Sequence, residues 1–167
     1  MNRWHRLRSY LPLGTLVVFG ALAIGLLSGC TVEVAAEIKT YSGINQIRAS
    51  RGLPPLVADP ALVEIARIRS RDMAARGYFS HQPPDGCNYV CLMDQRGVPH
   101  AWAGENIAWN TWDWPQTADV AVEMWRKSPG HMENILGCHY TRFGTGVAKG
   151  RDGKVYFTMI FDGNRPC

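Results

Sequence analysis

Three short stretches carry side chains that move protons or bind cations, each set among aromatic and aliphatic neighbours. They are Tyr78-Phe-Ser-His81, Ala103-Gly-Glu-Asn-Ile-Ala-Trp109 and Trp125-Arg-Lys-Ser-Pro-Gly-His-Met-Glu-Asn-Ile-Leu136. A histidine held beside a carboxylate serves as a general base, a proton shuttle or a metal ligand. Two histidines and a carboxylate also form a common zinc ligand set with an open position. His81, Glu105 and His131 are therefore candidates for one cleft, and for holding Zn2+ or another divalent cation. Ser128, at the break before His131, adds a hydroxyl to the set. Each residue also has a structural alternative. His81 can cap carbonyls after a helix end, Glu105 can be a buried carboxylate bonded to amides, and His131 can bond Ser128 or a loop. The sequence pairs no obvious nucleophile with a base, so no catalytic residue is assigned.

These stretches are far apart in the chain, and the elements between them must bring them together. A helix is predicted over Glu37–Arg51, with Ile38, Tyr41, Ile44 or Asn45, and Arg48 on one face and Gly52 as its stop. Leu53-Pro-Pro-Leu56 is a rigid, extended connector. Asp59-Pro60 starts a second helix, since Asp accepts from first-turn amides and Pro suits the first helical position. It runs to Arg76 with Leu62, Ile65, Ala66 and Met73 inward and Arg67, Arg71 and Arg76 outward, and Gly77 ends it. Cys87–Arg96 is a short helical candidate and Gly104–Trp109 a strand. Trp112, Trp114 and Pro115 read as an aromatic loop whose tryptophans are candidates for exposed contacts. Gln116–Lys127 is a helix with Ala118, Ala121, Val122 and Trp125 as its buried stripe. Pro129-Gly130 breaks it, and His131–Leu136 adds about one turn. Phe143–Ala148 and Lys154–Phe161 alternate as a hairpin around Gly150-Arg-Asp-Gly153. His100 and His139 read as ordinary surface residues.

The start of the chain reads as an export signal. Arg3, Arg6 and Arg8 precede an apolar run over Leu11–Leu27, the plan of a secretory signal peptide. The run approaches the length of a spanning helix, so an uncleaved anchor is the alternative. Its end, Leu27-Ser-Gly-Cys30, resembles the lipobox of bacterial lipoproteins. That resemblance implies cleavage before Cys30, a diacylglycerol thioether on its sulfur, and palmitate-type acylation of the new amine. Such a group is enough for stable membrane anchoring. The expected divisions are a signal over 1–29, a lipidated linker over 30–36 and one domain over 37–167. The formal net charge of +4 comes mostly from the three leading arginines. No basic block remains in the domain, which excludes nucleic acid as an implied partner.

Cys87, Cys91, Cys138 and Cys167 then remain, an even set for an oxidising compartment. Counting back from the hairpin turn sets Cys138 roughly opposite Arg165, so a Cys138–Cys167 disulfide would close the open end. Cys87 and Cys91 are left to each other, a strained pair if both sit on one helix.

Asn45-Gln-Ile-Arg-Ala-Ser-Arg-Gly-Leu-Pro-Pro-Leu56, Phe79-Ser-His81, Gly104-Glu-Asn-Ile-Ala108, Trp125 with Ser128-Pro-Gly-His131 and Asn134-Ile-Leu136, and Gly144-Thr-Gly-Val147 with Tyr156-Phe-Thr158 occur in one order. In this the chain resembles the CAP superfamily (cysteine-rich secretory, antigen 5 and pathogenesis-related proteins), closest to its bacterial SCP-like extracellular branch. The resemblance covers Glu37–Gly163. It implies an α+β fold, a three-layer α-β-α sandwich with a mainly antiparallel sheet and a cleft. Family members line that cleft with two histidines and two acidic residues, and some bind zinc or another divalent cation there. His81, Glu105 and His131 match three of the four. The fourth register lands on Ser128, while Glu123 and Glu133 lie nearby but out of position. The expected function is a lipid-anchored, extracytoplasmic domain of the bacterial envelope that binds a lipid-like molecule or a protein partner. A metal-assisted hydrolase (a peptidase or cell-wall enzyme) and a purely structural envelope protein are the alternatives.

Overall fold

The computed structural model describes the backbone over residues 16–167 and the side chains over residues 32–167. The expected signal start at Met1–Arg8 and the side chain of Cys30 lie outside the described residues. Among the described residues nine elements follow in order: α1 (Leu16–Ser50), β1 (Val57–Ala58), α2 (Pro60–Arg76), α3 (Tyr89–Gln95), β2 (Trp102–Asn110), α4 (Trp114–Arg126), α5 (Pro129–Leu136), β3 (Arg142–Lys149) and β4 (Val155–Gly163). The unit formed by Val32–Cys167 holds everything described below.

One sheet of order β1-β3-β4-β2 organises this unit. β1 runs parallel to β3, and the other two pairings are antiparallel. β4 lies between β3 and β2 and is buried along its whole length. Alternate side chains of a strand point to opposite faces, and β4 uses both. Phe157, Met159 and Phe161 join Ile44, Ala118, Ala121, Trp125 and Ile135 in a core under α1, α4 and α5. Ile160 packs on the other face with Leu62, Ile65 and Ala66 of α2 and Met93 of α3. Helices on both faces make the α-β-α sandwich. Burying each large apolar side chain contributes about 1.5–3 kcal/mol, so these two layers supply most of the drive to fold.

Local chemistry fixes how closely α2 lies on the sheet. Asp59 caps it, its carboxylate accepting from the Ala61 and Leu62 amides, Pro60 opens the first turn, and Gly77 closes it at φ 67°. Gly144 and Gly146 of β3 have no side chain to hold the helix off. A Cβ at Gly144 would sit 2.1 Å from the Leu62 carbonyl carbon, and one at Gly146 would sit 2.2 Å from that of Ala66. Helix backbone therefore rests directly on strand backbone. On the opposite face Arg48 is fully buried and faces carbonyls rather than a carboxylate. It donates from Nη1 to Ile135 O at 2.8 Å and Gly137 O at 3.0 Å, and from Nε to Pro54 O at 3.0 Å. The Ile135 and Gly137 carbonyls lie at the end of α5, where a cation offsets the unpaired helix acceptors.

β2 is an edge strand, and side chains cover its outward carbonyls. Ala103 O accepts from the Tyr89 hydroxyl at 3.3 Å, Glu105 O from Asn134 Nδ2 at 3.3 Å and Ile107 O from Trp125 Nε1 at 3.0 Å.

Several sequence expectations need correcting. Val32–Ala35, within the stretch expected as linker, is helical and belongs to α1, whose inward stripe is Ala36, Thr40, Ile44 and Arg48. Ile38, placed on that stripe by spacing, is 61% exposed. Trp114 is not a loop residue: it opens α4 and packs on the core, while Trp112 is 59% exposed. Pro129 and Gly130 form the first turn of α5 rather than only ending α4. Cys87 precedes the Asn88 cap of α3, so the Cys87–Cys91 disulfide does not span a helical face, and its Cα–Cα distance of 5.2 Å is ordinary. The Cys138–Cys167 disulfide forms as expected, with the Arg165 guanidinium on Cys138 O.

Candidate functional site

The site is built around the edge strand β2, where two adjacent residues point to opposite faces of the sheet. Glu105, opposite Ile160, points toward α2. Asn106, opposite Met159, points toward α5. Each holds one histidine-bearing segment, so the strand clasps both.

On the α2 side the organiser is Arg69, which the sequence analysis passed over. The inward spacing of Leu62, Ile65, Ala66 and Met73 includes position 69, and a charge in that phase requires a partner. Arg69 is 1% exposed in its side chain and Glu105 0%. Arg69 Nε donates to Glu105 Oε1 at 2.9 Å and Nη1 to the Tyr78 hydroxyl at 2.8 Å. Nη2 donates to Ser80 O at 2.8 Å and His81 O at 3.2 Å. One guanidinium thus fixes the carboxylate and the loop that carries His81. Burial opposes the Arg69 charge, but the hydrogen bond and negative charge of Glu105 outweigh it and raise its pKa. Burial and a hydrogen bond to Asp72 push the Tyr78 phenol up to about 12, so it stays protonated at neutral pH.

The second oxygen of Glu105 meets His81 Nδ1 at 2.7 Å. The His81 side chain is 56% exposed while its carboxylate partner is sealed. A buried carboxylate on Nδ1 fixes ring direction and tautomer and leaves Nε2 free to accept a proton, a hydrogen bond or a cation.

On the other face, Asn106 Nδ2 donates to His131 O at 3.0 Å and Asn106 Oδ1 accepts from Asn134 Nδ2 at 2.9 Å. His131 is half-buried, its ring 6.5 Å from that of Trp125, and its Nδ1 is buried without a hydrogen-bond partner. Burial, and then the charge of His81, push its pKa below the usual histidine value. The segments that carry His81 and His131 are both tied to one stretch of β2, through Glu105 on one face and Asn106 on the other.

Both Glu105 oxygens are engaged, one by Arg69 and one by His81, and through the second the carboxylate orients the histidine ring. The fourth position stays unfilled by acid. Ser128 stands before α5 and makes no capping hydrogen bond. Glu123 is held by Arg126 at 2.6 Å and Lys127 at 3.2 Å, and Glu133 is exposed. Among the described residues, the group of three potential ligands close enough to share an ion is Cys138, His139 and Cys167, and its two sulfurs are joined in a disulfide.

The family model described as the cysteine-rich secretory protein family, CAP, matches residues 41–161. The chain belongs to the CAP family. Two relatives from Bacillus subtilis are similar in sequence. The uncharacterised protein YkwD is 37% identical over 115 residues, covering 69% of this chain and 43% of its own length. The uncharacterised membrane protein YlbC is 33% identical over 130 residues, covering 78% of this chain and 35% of its own. The match therefore spans less than half of either relative. Among solved structures, an extracellular SCP-domain protein from Bacillus anthracis aligns with a TM-score of 0.70 at 28% identity, over 79% of this chain and 41% of that one. The Arg69–Glu105–His81 chain and the Asn106–Asn134 clasp are thus features of a CAP domain of bacterial SCP type.

Proposed function

We propose that this CAP domain is an extracytoplasmic, lipid-anchored binding domain whose cleft at the β2 edge receives a ligand through His81 and His131. The observation that carries this reading is the wiring of His81. Its carboxylate is buried and fixed by Arg69, yet its ring lies open to solvent. A polar group held rigid by a buried network and presented outward costs little ordering entropy on binding. In the hydrolase alternative the Glu105–His81 pair supplies the base, with the imidazole rather than the carboxylate meeting the substrate.

The lipid-like ligand class has a separate support. An apolar hollow of about 360 Å³ lies between α1, α2 and β3, lined by Val34, Ile38, Tyr41, Val63 and Phe143 and edged by the Glu37–Arg67 ion pair. The exposed Ile38 forms part of its wall. Anchoring through Cys30 would keep the domain at a membrane, next to such ligands.

The test is melting temperature against a panel of fatty acids, sterols and phospholipids for wild type, His81→Ala and Ile38→Glu. A ligand present at 100 times its Kd stabilises the native state by about 2.7 kcal/mol. A shift abolished by Ile38→Glu alone assigns lipid to the hollow, and one abolished by His81→Ala assigns the ligand to the cleft. No shift with any lipid would remove the lipid-like class and leave a protein partner to be sought.

A further inference from the structure

The open end of the β3–β4 hairpin holds a second histidine site with different chemistry. His139 Nδ1 lies 3.6 Å from Cys167 Sγ, and the ligand atoms of Cys138, His139 and Cys167 all fall within 4.8 Å of one another. Tetrahedral zinc, with bonds of about 2.3 Å to sulfur and about 2.0 Å to nitrogen, sets an S···N edge of roughly 3.5 Å. The nitrogen already stands at that separation from one sulfur.

The arrangement does not depend on the S–S bond alone. The His139 ring packs against Trp102 at 4.8 Å and Tyr140 at 4.3 Å between centroids, which sets its direction independently of sulfur. Cys138 O accepts from Arg165 Nε at 3.0 Å and Nη2 at 2.6 Å. Thr141 N donates to Asp162 O at 3.0 Å, continuing the strand pairing toward the cysteines. At Gly163 a Cβ would lie 2.1 Å from His139 O, so the two chain segments run in close contact. Cys167 is exposed and open to reagents.

We propose that Cys138, His139 and Cys167 form a redox-gated site for a thiophilic d10 cation of the zinc class. In the oxidised chain the two sulfurs are a disulfide and bind no metal. A dithiol reductant supplies two electrons and two protons, becomes a disulfide itself, and leaves two thiols. The cation then displaces both thiol protons and takes a neutral His139 nitrogen as its third ligand, with water at the fourth position. Cys87–Cys91 is the internal control. It undergoes the same reduction, but its neighbouring polar group is the Gln95 amide, 3.4 Å from each sulfur, rather than an imidazole.

The test uses the full chain, reduced with a phosphine and titrated with Co2+ and Zn2+. Thiolate-to-cobalt charge-transfer absorption reads the sulfurs and is blind to His81 and His131. Native mass spectrometry counts bound zinc, and near-ultraviolet circular dichroism reports the fold. The expected result is one cobalt per reduced chain with thiolate absorption, no such absorption in the oxidised chain, and an unchanged signal in C87S/C91S. H139A should bind more than tenfold more weakly, since even outer-shell partners of a metal site are worth 10–100-fold. C167S should lose most of the charge-transfer band. Zinc should also raise the melting temperature of the reduced chain. Absence of the band on reduction, equal affinity in H139A and wild type, or collapse of the native dichroism on reduction would each overturn the proposal.

Discussion

His81 and His131 are both tied to the edge strand β2 but are fixed through opposite parts of themselves. His81 is held by its side chain, Nδ1 on Glu105, and by backbone carbonyls gathered on Arg69. His131 is held through its backbone carbonyl by Asn106, and its ring has a buried nitrogen with no partner. The first is an exposed group on a buried charged network, the second a half-buried group on a neutral amide network. The difference teaches where strength and responsiveness reside. Charge in the interior makes the His81 side intolerant of substitution, while the unpartnered nitrogen makes the His131 side sensitive to protons.

The largest expected effect breaks the charged side. Arg69→Met leaves the Glu105 carboxylate buried without its cation and should cost about 3–5 kcal/mol in chemical denaturation. A loss below that of Asn106→Ala would invert the comparison. Asn106→Ala, which orphans His131 O and one Asn134 donor, should cost about 1–3 kcal/mol. His81→Ala should cost about 1 kcal/mol, because water can reach the vacated Glu105 oxygen once the exposed ring is gone. That variant separates binding from folding.

The smallest effects are on protonation. A histidine whose folded pKa lies below its unfolded value contributes stability that is present above the unfolded value, about 6.5, and lost as pH falls through the folded one. Stability of the wild type should therefore decline on acidification below that point, and His131→Gln should flatten the decline in denaturation midpoints measured across pH. Removing the His81 charge should move the His131 titration back upward, seen by proton resonance of its ring in His81→Ala.

Much of the frame was legible because its signals are local. Asp59-Pro60 and Gly77 bracket α2, alternation marks β4, and the hairpin count brings Cys138 to Cys167. What escaped was set by distant partners. β1 is two residues long and exists through its parallel pairing with Arg142 and Phe143, which no local pattern encodes. Arg69 sits in the buried phase of α2, yet its acceptors come from position 105 and from the loop beyond the helix, so only the fold shows why a charge belongs there. For Glu105, residue type and motif marked the position out as a candidate. Its role as orienter of His81 depends on Arg69 occupying the other oxygen, which the motif does not contain. Ile38 follows helical spacing but meets an open hollow instead of core.

The side chains of Tyr89, Asn134 and Trp125 on the carbonyls of Ala103, Glu105 and Ile107 limit how another molecule can join this one. An unpaired strand is an invitation for a peptide to add itself as the next strand, or for copies to stack edge to edge. Here three successive outward acceptors are already occupied, so backbone recruitment along β2 would require breaking those bonds first. A partner that docks along this rim must read side chains rather than add itself as a strand.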